Sequence, residues 1–146
     1  MELNEIFEDG KVVKGWIKYI DGFDLLIRFG DRETLEAIYN RCKKYEWDKH
    51  QRIEVADEQK FRKELVKFIE DWKFSTSAAA RILPIKEDAS LNGQLIDCTD
   101  SAKMTVINKV TNFENFLFDA ISDLERITEA QEDRENLISA DSSRQG

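Results

Sequence analysis

The stretch WIKYIDGFDLLIRFGD, Trp16 to Asp31, constrains the fold more than any other part of the chain. Asp21-Gly22 lies between two runs of apolar and β-branched residues. That arrangement favours a two-residue β-hairpin turn, because Asp and Gly tolerate the positive φ such turns need. Side chains alternate across a strand, so the second arm puts Phe23, Leu25, Ile27 and Phe29 on one face, with Leu26 on the other beside Asp24 and Arg28. The first arm puts Ile17 and Tyr19 on one face, and Trp16 and Ile20 on the other. A lone hairpin is marginal in water, so this one must lie on other elements.

Helical periodicity follows. Asp31 is placed to cap a helix through about Tyr45, with Leu35, Ile38, Tyr39 and Cys42 on one stripe. Cys42 falls inside that stripe and reads as a small buried hydrophobe rather than a nucleophile. Residues from Trp47 to Val55 read as an extended segment or a long loop before the next helix, with the extended form favoured. Asp57 then caps EQKFRKELVKFIEDWKF, predicted as one helix with Phe61, Leu65, Phe68, Ile69 and Trp72 on its packed face and Val66 off it. Ser75 or Thr76 caps a short helix ended by Pro84, and Thr99 caps another through about Lys109. Thr111 and Glu114 have capping-box spacing. The helix they open is predicted to run to about Ile127, its packed side carrying Phe113, Phe116, Leu117, Ala120, Ile121, Leu124 and Ile127, with Phe118 rotated away. The expectation is one globular domain over residues 1–128 and a polar, disordered tail over 129–146, where little apolar surface offsets the ordering entropy.

The charge balance bears on partners. A net charge of −8 and interleaved bases argue against nucleic acid, whose binders cluster Lys and Arg. No apolar run approaches the ~20 residues of a membrane helix, and the acidic MELNEIFEDG lacks the order of a signal peptide. Two cysteines 56 positions apart make no disulfide framework, so a cytoplasmic protein is expected.

Chemistry is sparse. In DASLNGQLIDCT, Asp88, Ser90 and Asn92 alternate, Gly93 is sixth and Leu95 eighth, as in a calcium loop. Thr99 stands at the twelfth position where a bidentate Glu is needed, and Pro84 breaks the incoming helix. A turn at Asn92-Gly93 accounts for the stretch. The single histidine, His50, has no cysteine near it in sequence and no nucleophile elbow accompanies it, so it reads as a surface residue. No glycine-rich phosphate loop is present. No catalytic, metal or cofactor site is expected, and recognition through apolar contact is the remaining class. Trp16, Ile20 and Leu26 on the hairpin's second face, with the off-stripe Val66 and Phe118, are the candidate protein-binding residues.

The order of segments resembles small tail assembly chaperone-like proteins of tailed bacteriophages and prophages. It is carried by LLIRFGDRETL, EWDKHQR, DEQKFRKELVKFIEDWK, RILPI, LNG and NFENFLFDAISDLE, covering roughly Val12 to Ile127. Phe74 stands where that pattern has a glycine, although the hydroxyls of Ser75 and Thr76 remain. The resemblance implies a non-enzymatic role in a bacterial host, with no cofactor: binding an apolar, helical client such as the tape-measure protein and keeping it soluble. The expected fold is α+β, mostly helical, with the N-terminal antiparallel hairpin packed on the helices. The alternative is a structural virion component, a tail or connector subunit forming a ring or tube.

Overall fold

Asp21-Gly22 forms the expected turn, with Gly22 at φ 85°. In the computed structural model, which describes residues 1–86 and 93–133, it joins β1 (Lys14–Ile20) to β2 (Phe23–Arg28) in an antiparallel pair. A four-residue helix, α1 (Leu3–Ile6), precedes them. Ile17 faces Leu25 and Trp16 faces Leu26, as the alternation predicts. Near the turn the register shifts, because Lys18 pairs with Asp24 and Ile20 with Phe23, leaving Tyr19 as the extra residue of a bulge. One extra residue reverses the alternation beyond it. Ile20 therefore leaves the outer face expected for it, and both Tyr19 and Ile20 pack against the core.

The largest departure lies after Leu65. The helix predicted to run through Phe74 stops as α3 (Glu58–Leu65), a 3-10 turn follows over Val66–Phe68, and β5 (Ile69–Phe74) begins. β5 pairs antiparallel with β2, Leu25 opposite Trp72 and Phe23 opposite Phe74, giving the strand order β1-β2-β5. Ile69, Trp72 and Phe74 are buried in this strand. The free edge of β2 offers a row of unpaired backbone groups that a helix could not satisfy. Each residue of a 3-10 turn rotates the side chain by a third of a circle, faster than in an α-helix. That turn carries Val66 inward, where it is 4% exposed. The surface role expected of Val66 is thereby removed.

A second correction concerns residues 42–56. α2 (Arg32–Arg41) ends earlier than predicted, and β3 (Lys43–Asp48) and β4 (Gln51–Ala56) form a separate antiparallel hairpin. Lys49 and His50 both have positive φ, 48° and 70°, the requirement of a type I′ turn. The extended character of Trp47–Val55 is present, with a tight turn in its middle. Asp57 donates its backbone N–H to the Cys42 carbonyl at 2.8 Å, closing the base of this arm.

Side-chain caps start five helices, the last of them at the C-terminal end of the described chain. Asp31 accepts from the Thr34 N–H at 2.8 Å and Asp57 from the Lys60 N–H at 3.2 Å. Ser75 caps α4 (Thr76–Ile82) and Thr99 caps α5 (Asp100–Lys109), each oxygen accepting at 3.1 Å. Replacing Asp57 by alanine is expected to cost about 1 kcal/mol, measured by urea denaturation. The arm should survive it, since the N–H of residue 57 remains.

The capping box of Thr111 and Glu114 does not form. Asn112, at φ 70°, occupies the N-cap position of α6 (Phe113–Ile121) without a side-chain cap. Glu114 instead accepts from Arg62 Nε on α3 at 2.8 Å. The helix predicted to reach Ile127 breaks at Ser122, whose hydroxyl donates to the Phe118 carbonyl at 3.0 Å. Asp123 then caps a last helix, α7, at residues 124–133, accepting from the Arg126 N–H at 3.0 Å. α7 thus continues past Glu129, where frayed chain is expected. The remainder of that expectation lies outside the described residues.

The fold is α+β, mostly helical, with the N-terminal hairpin packed on the helices. Phe23 is fully buried at its centre, ringed by Tyr19, Trp72, Phe74 and Phe113. Lys103 of α5 is buried and its Nζ donates to the Ile69 carbonyl at 2.7 Å, satisfying the backbone where β5 begins.

Candidate functional site

Phe118 is where the sequence and the surface agree. It sits on α6, 38% exposed, and its ring lies 6.3 Å from Phe61 of α3. Phe61 in turn meets Tyr39 of α2 edge to face at 5.8 Å, and Tyr39 is 50% exposed. Leu35 lies one turn before Tyr39. Together these residues floor an open groove of about 530 Å³ between α2, α3 and α6. Its rim is polar: Arg32 Nε donates to Glu36 at 2.9 Å along α2, with Asn40 and Ser122 nearby.

Local sequence explains the exposure. Leu35 and Ile38 are the buried positions of α2 and turn the helix onto the core. Tyr39, one residue beyond Ile38, is rotated about 100° and falls at the margin of the stripe. Phe61 on α3, where only Leu65 is fully buried, is half-buried although it lies within the predicted stripe. Periodicity places both Tyr39 and Phe61 on packed stripes. For Tyr39 the position at the stripe's edge is the signal that marks it as half outside; Phe61 carries no such signal.

The other candidates separate from this groove. Trp16 and Leu26 face each other on the outer side of the sheet, both half-buried. Lys73 Nζ lies 5.0 Å from the Trp16 ring, a cation–π contact that covers part of the indole. Charges frame the pair: Lys18 is bound to Asp21, and Arg28 reaches Glu70 at 3.5 Å. Ile20 and Val66 pack inward as described. Of the five sequence candidates, only Phe118 lines an open apolar groove.

Reactive groups are not gathered there. Cys42 is buried at the end of α2, where burial first and the Glu64 carboxylate second push its thiol pKa up, the opposite of nucleophile activation. Burial also raises the Cys98 thiol. His50 is exposed at the tip of the β3–β4 arm. Among the described residues no group of three or more His, Cys, Asp or Glu side chains is placed to hold a metal ion. Residues 88–92 of the calcium-loop-like stretch lie outside the described residues. Its second half pairs with β5, Ile96 N–H donating to the Phe74 carbonyl at 2.7 Å, and Trp72 Nε1 donates to the Ile96 carbonyl at 2.8 Å. No helix among the described residues is long and apolar enough to cross a membrane.

No family model, curated protein or solved structure matches the chain.

Proposed function

We propose that this chain is a non-enzymatic, cytoplasmic binding protein of the phage or prophage tail-assembly type. On this reading it holds an apolar helical client, such as a tape-measure protein, in the groove between α2, α3 and α6. The observation that carries the reading is the exposure of Tyr39 and Phe118 on either side of Phe61 in an open groove. An amphipathic helix presents apolar residues at i, i+3, i+4 and i+7, a stripe that such a groove accepts. The polar rim of Arg32, Glu36, Asn40 and Ser122 faces the client's charged flanks. Aromatic rings with few rotatable bonds lose little entropy on contact and suit reversible holding. The acidity of the chain keeps the loaded complex soluble.

The test is co-expression with a tape-measure-type client, a long, helix-rich protein that is insoluble when expressed alone. Wild-type protein should bring that product into the soluble fraction and co-elute with it. A Tyr39→Ser/Phe118→Ser double variant is expected to lose about tenfold or more of that binding, as removal of two aromatic anchors does. Its own unfolding midpoint should stay near the wild-type value, since both side chains are largely outside the core. Undiminished client solubility with a folded double variant rules the groove out.

A further inference from the structure

The β3–β4 arm buries almost nothing. Every residue of both strands is exposed except Val55, which is half-buried. Trp47 is 77% exposed and Tyr45 60%, on a two-stranded ribbon of a kind that is marginal in water by itself. At the other end of the chain α1 also buries no residue, and Leu3, Ile6 and Phe7 are 71%, 64% and 61% exposed. With Phe29, Phe68 and Leu124 they line a groove of about 610 Å³. That volume is within the range of pockets that enclose aromatic ligands.

The two surfaces carry opposite charge. Residues 43–56 hold four bases, Lys43, Lys44, Lys49 and Arg52, against three acids, Glu46, Asp48 and Glu54. The arm is thus positive by one in a chain whose total is −8. Residues 1–9 hold Glu2, Glu5, Glu8 and Asp9 and neither Lys nor Arg, and of these Glu8 and Asp9 line the groove. Lys11 and Arg28 also line the groove, Arg28 reaching Glu70 and the groove adding Asp31.

Geometry keeps the two apart within one molecule. The arm leaves from Cys42, at the C-terminal end of α2, while Asp31 at its N-terminal end belongs to the groove. Ten helical residues separate the ends by about 15 Å. The exposure of both strands shows that the arm does not fold back along its own body.

We propose that the β3–β4 arm of one copy, led by Trp47, docks into the N-terminal groove of a second copy. The contact joins two different patches, an arm of one copy and a groove of the other. Each copy both gives and receives, so association closes at a two-fold dimer where both contacts form between the same two copies, and otherwise runs on to a ring or an open chain. The client groove of α2, α3 and α6 is a separate surface, and this inference stands without it.

Light scattering coupled to size-exclusion chromatography, over a series of concentrations from micromolar to near-millimolar, tests it on the full chain. The expected result is a mean mass that rises with concentration and falls with added salt. Trp47→Ala should weaken association about 30-fold, the effect of removing an aromatic hot spot. Lys49→Glu alone and Glu8→Lys/Asp9→Lys alone should each weaken it while leaving Trp47 in place. Mixing those two variants should restore it, because every junction between unlike copies then pairs opposite charges. A wild-type mass that stays that of one chain at every concentration overturns the proposal. So does wild-type association in Trp47→Ala, or a mixture of the charge variants that fails to recover.

Discussion

Replacing Phe23 by alanine is expected to lower the unfolding free energy by about 4 kcal/mol, in the range for deleting a buried aromatic ring. The ring is fully buried and takes part in four aromatic contacts. It stacks on Phe74 with centroids 3.8 Å apart and meets Trp72 edge to face at 5.4 Å. Phe113 lies parallel at 6.0 Å, and Tyr19, turned inward by the β1 bulge, completes the cluster at 5.9 Å. These partners come from β1, β5 and α6, so the cavity would open where sheet and helices meet. Domains of this size are stable by about 5–15 kcal/mol, so the variant should lose a large fraction of the whole. Equilibrium urea denaturation would show a lowered midpoint with an unchanged slope. A loss below about 2 kcal/mol would contradict the central position assigned to Phe23.

Gly15→Val is the second large effect, expected at about 3 kcal/mol. Gly15 lies in β1 opposite Ile27, and a Cβ there would sit 2.5 Å from the Ile127 carbonyl oxygen and 3.2 Å from the Ala130 methyl. The first of these is backbone, which cannot rotate out of the way as a side-chain tip can. The added side chain must therefore push α7 away from β1. Hydrogen exchange should show the amides of α7 losing protection more than those of α5. Unchanged stability with full protection of α7 would mean that this helix does not pack against β1.

These two sites divide what is legible in the residues from what is not. Phe23 is readable as core because it belongs to a strand alternation beside an unambiguous Asp-Gly turn. The capping residues Asp31, Asp57, Ser75 and Thr99 are equally local, each oxygen meeting an N–H three positions on. Gly15 carries no comparable signal, since its need to be small arises from a helix more than a hundred residues later. The Tyr19 bulge is also silent in sequence, and it alone moved Ile20 from the outer face to the core.

The candidate site shows the same division. Phe118 is readable as off-stripe on α6 and Tyr39 as marginal on α2, but the half-exposure of Phe61 and the meeting of the three rings arise only when α2, α3 and α6 are set side by side. Val66 failed as a surface residue because the helix assumed beneath it unwinds at that position. The choice between helix and strand over Ile69–Phe74 was local only in appearance. Ile69 and Trp72 fit a helical stripe, while Ile69, Trp72 and Phe74 are buried equally well in a strand joined to β2 through a bulge.

The Asp21-Gly22 turn, the caps at Asp31, Asp57, Ser75 and Thr99, and the amphipathic faces of α2, α3 and α6 were determined by the sequence itself, because each depends on residues within about one helical turn or one hairpin of one another. The third strand, the inward turn of Ile20 and Val66, and the joining of Tyr39, Phe61 and Phe118 were decided by tertiary structure. Each rests on pairing or packing between distant segments, where the need to satisfy the β2 edge and fill the space around Phe23 outweighs local preference.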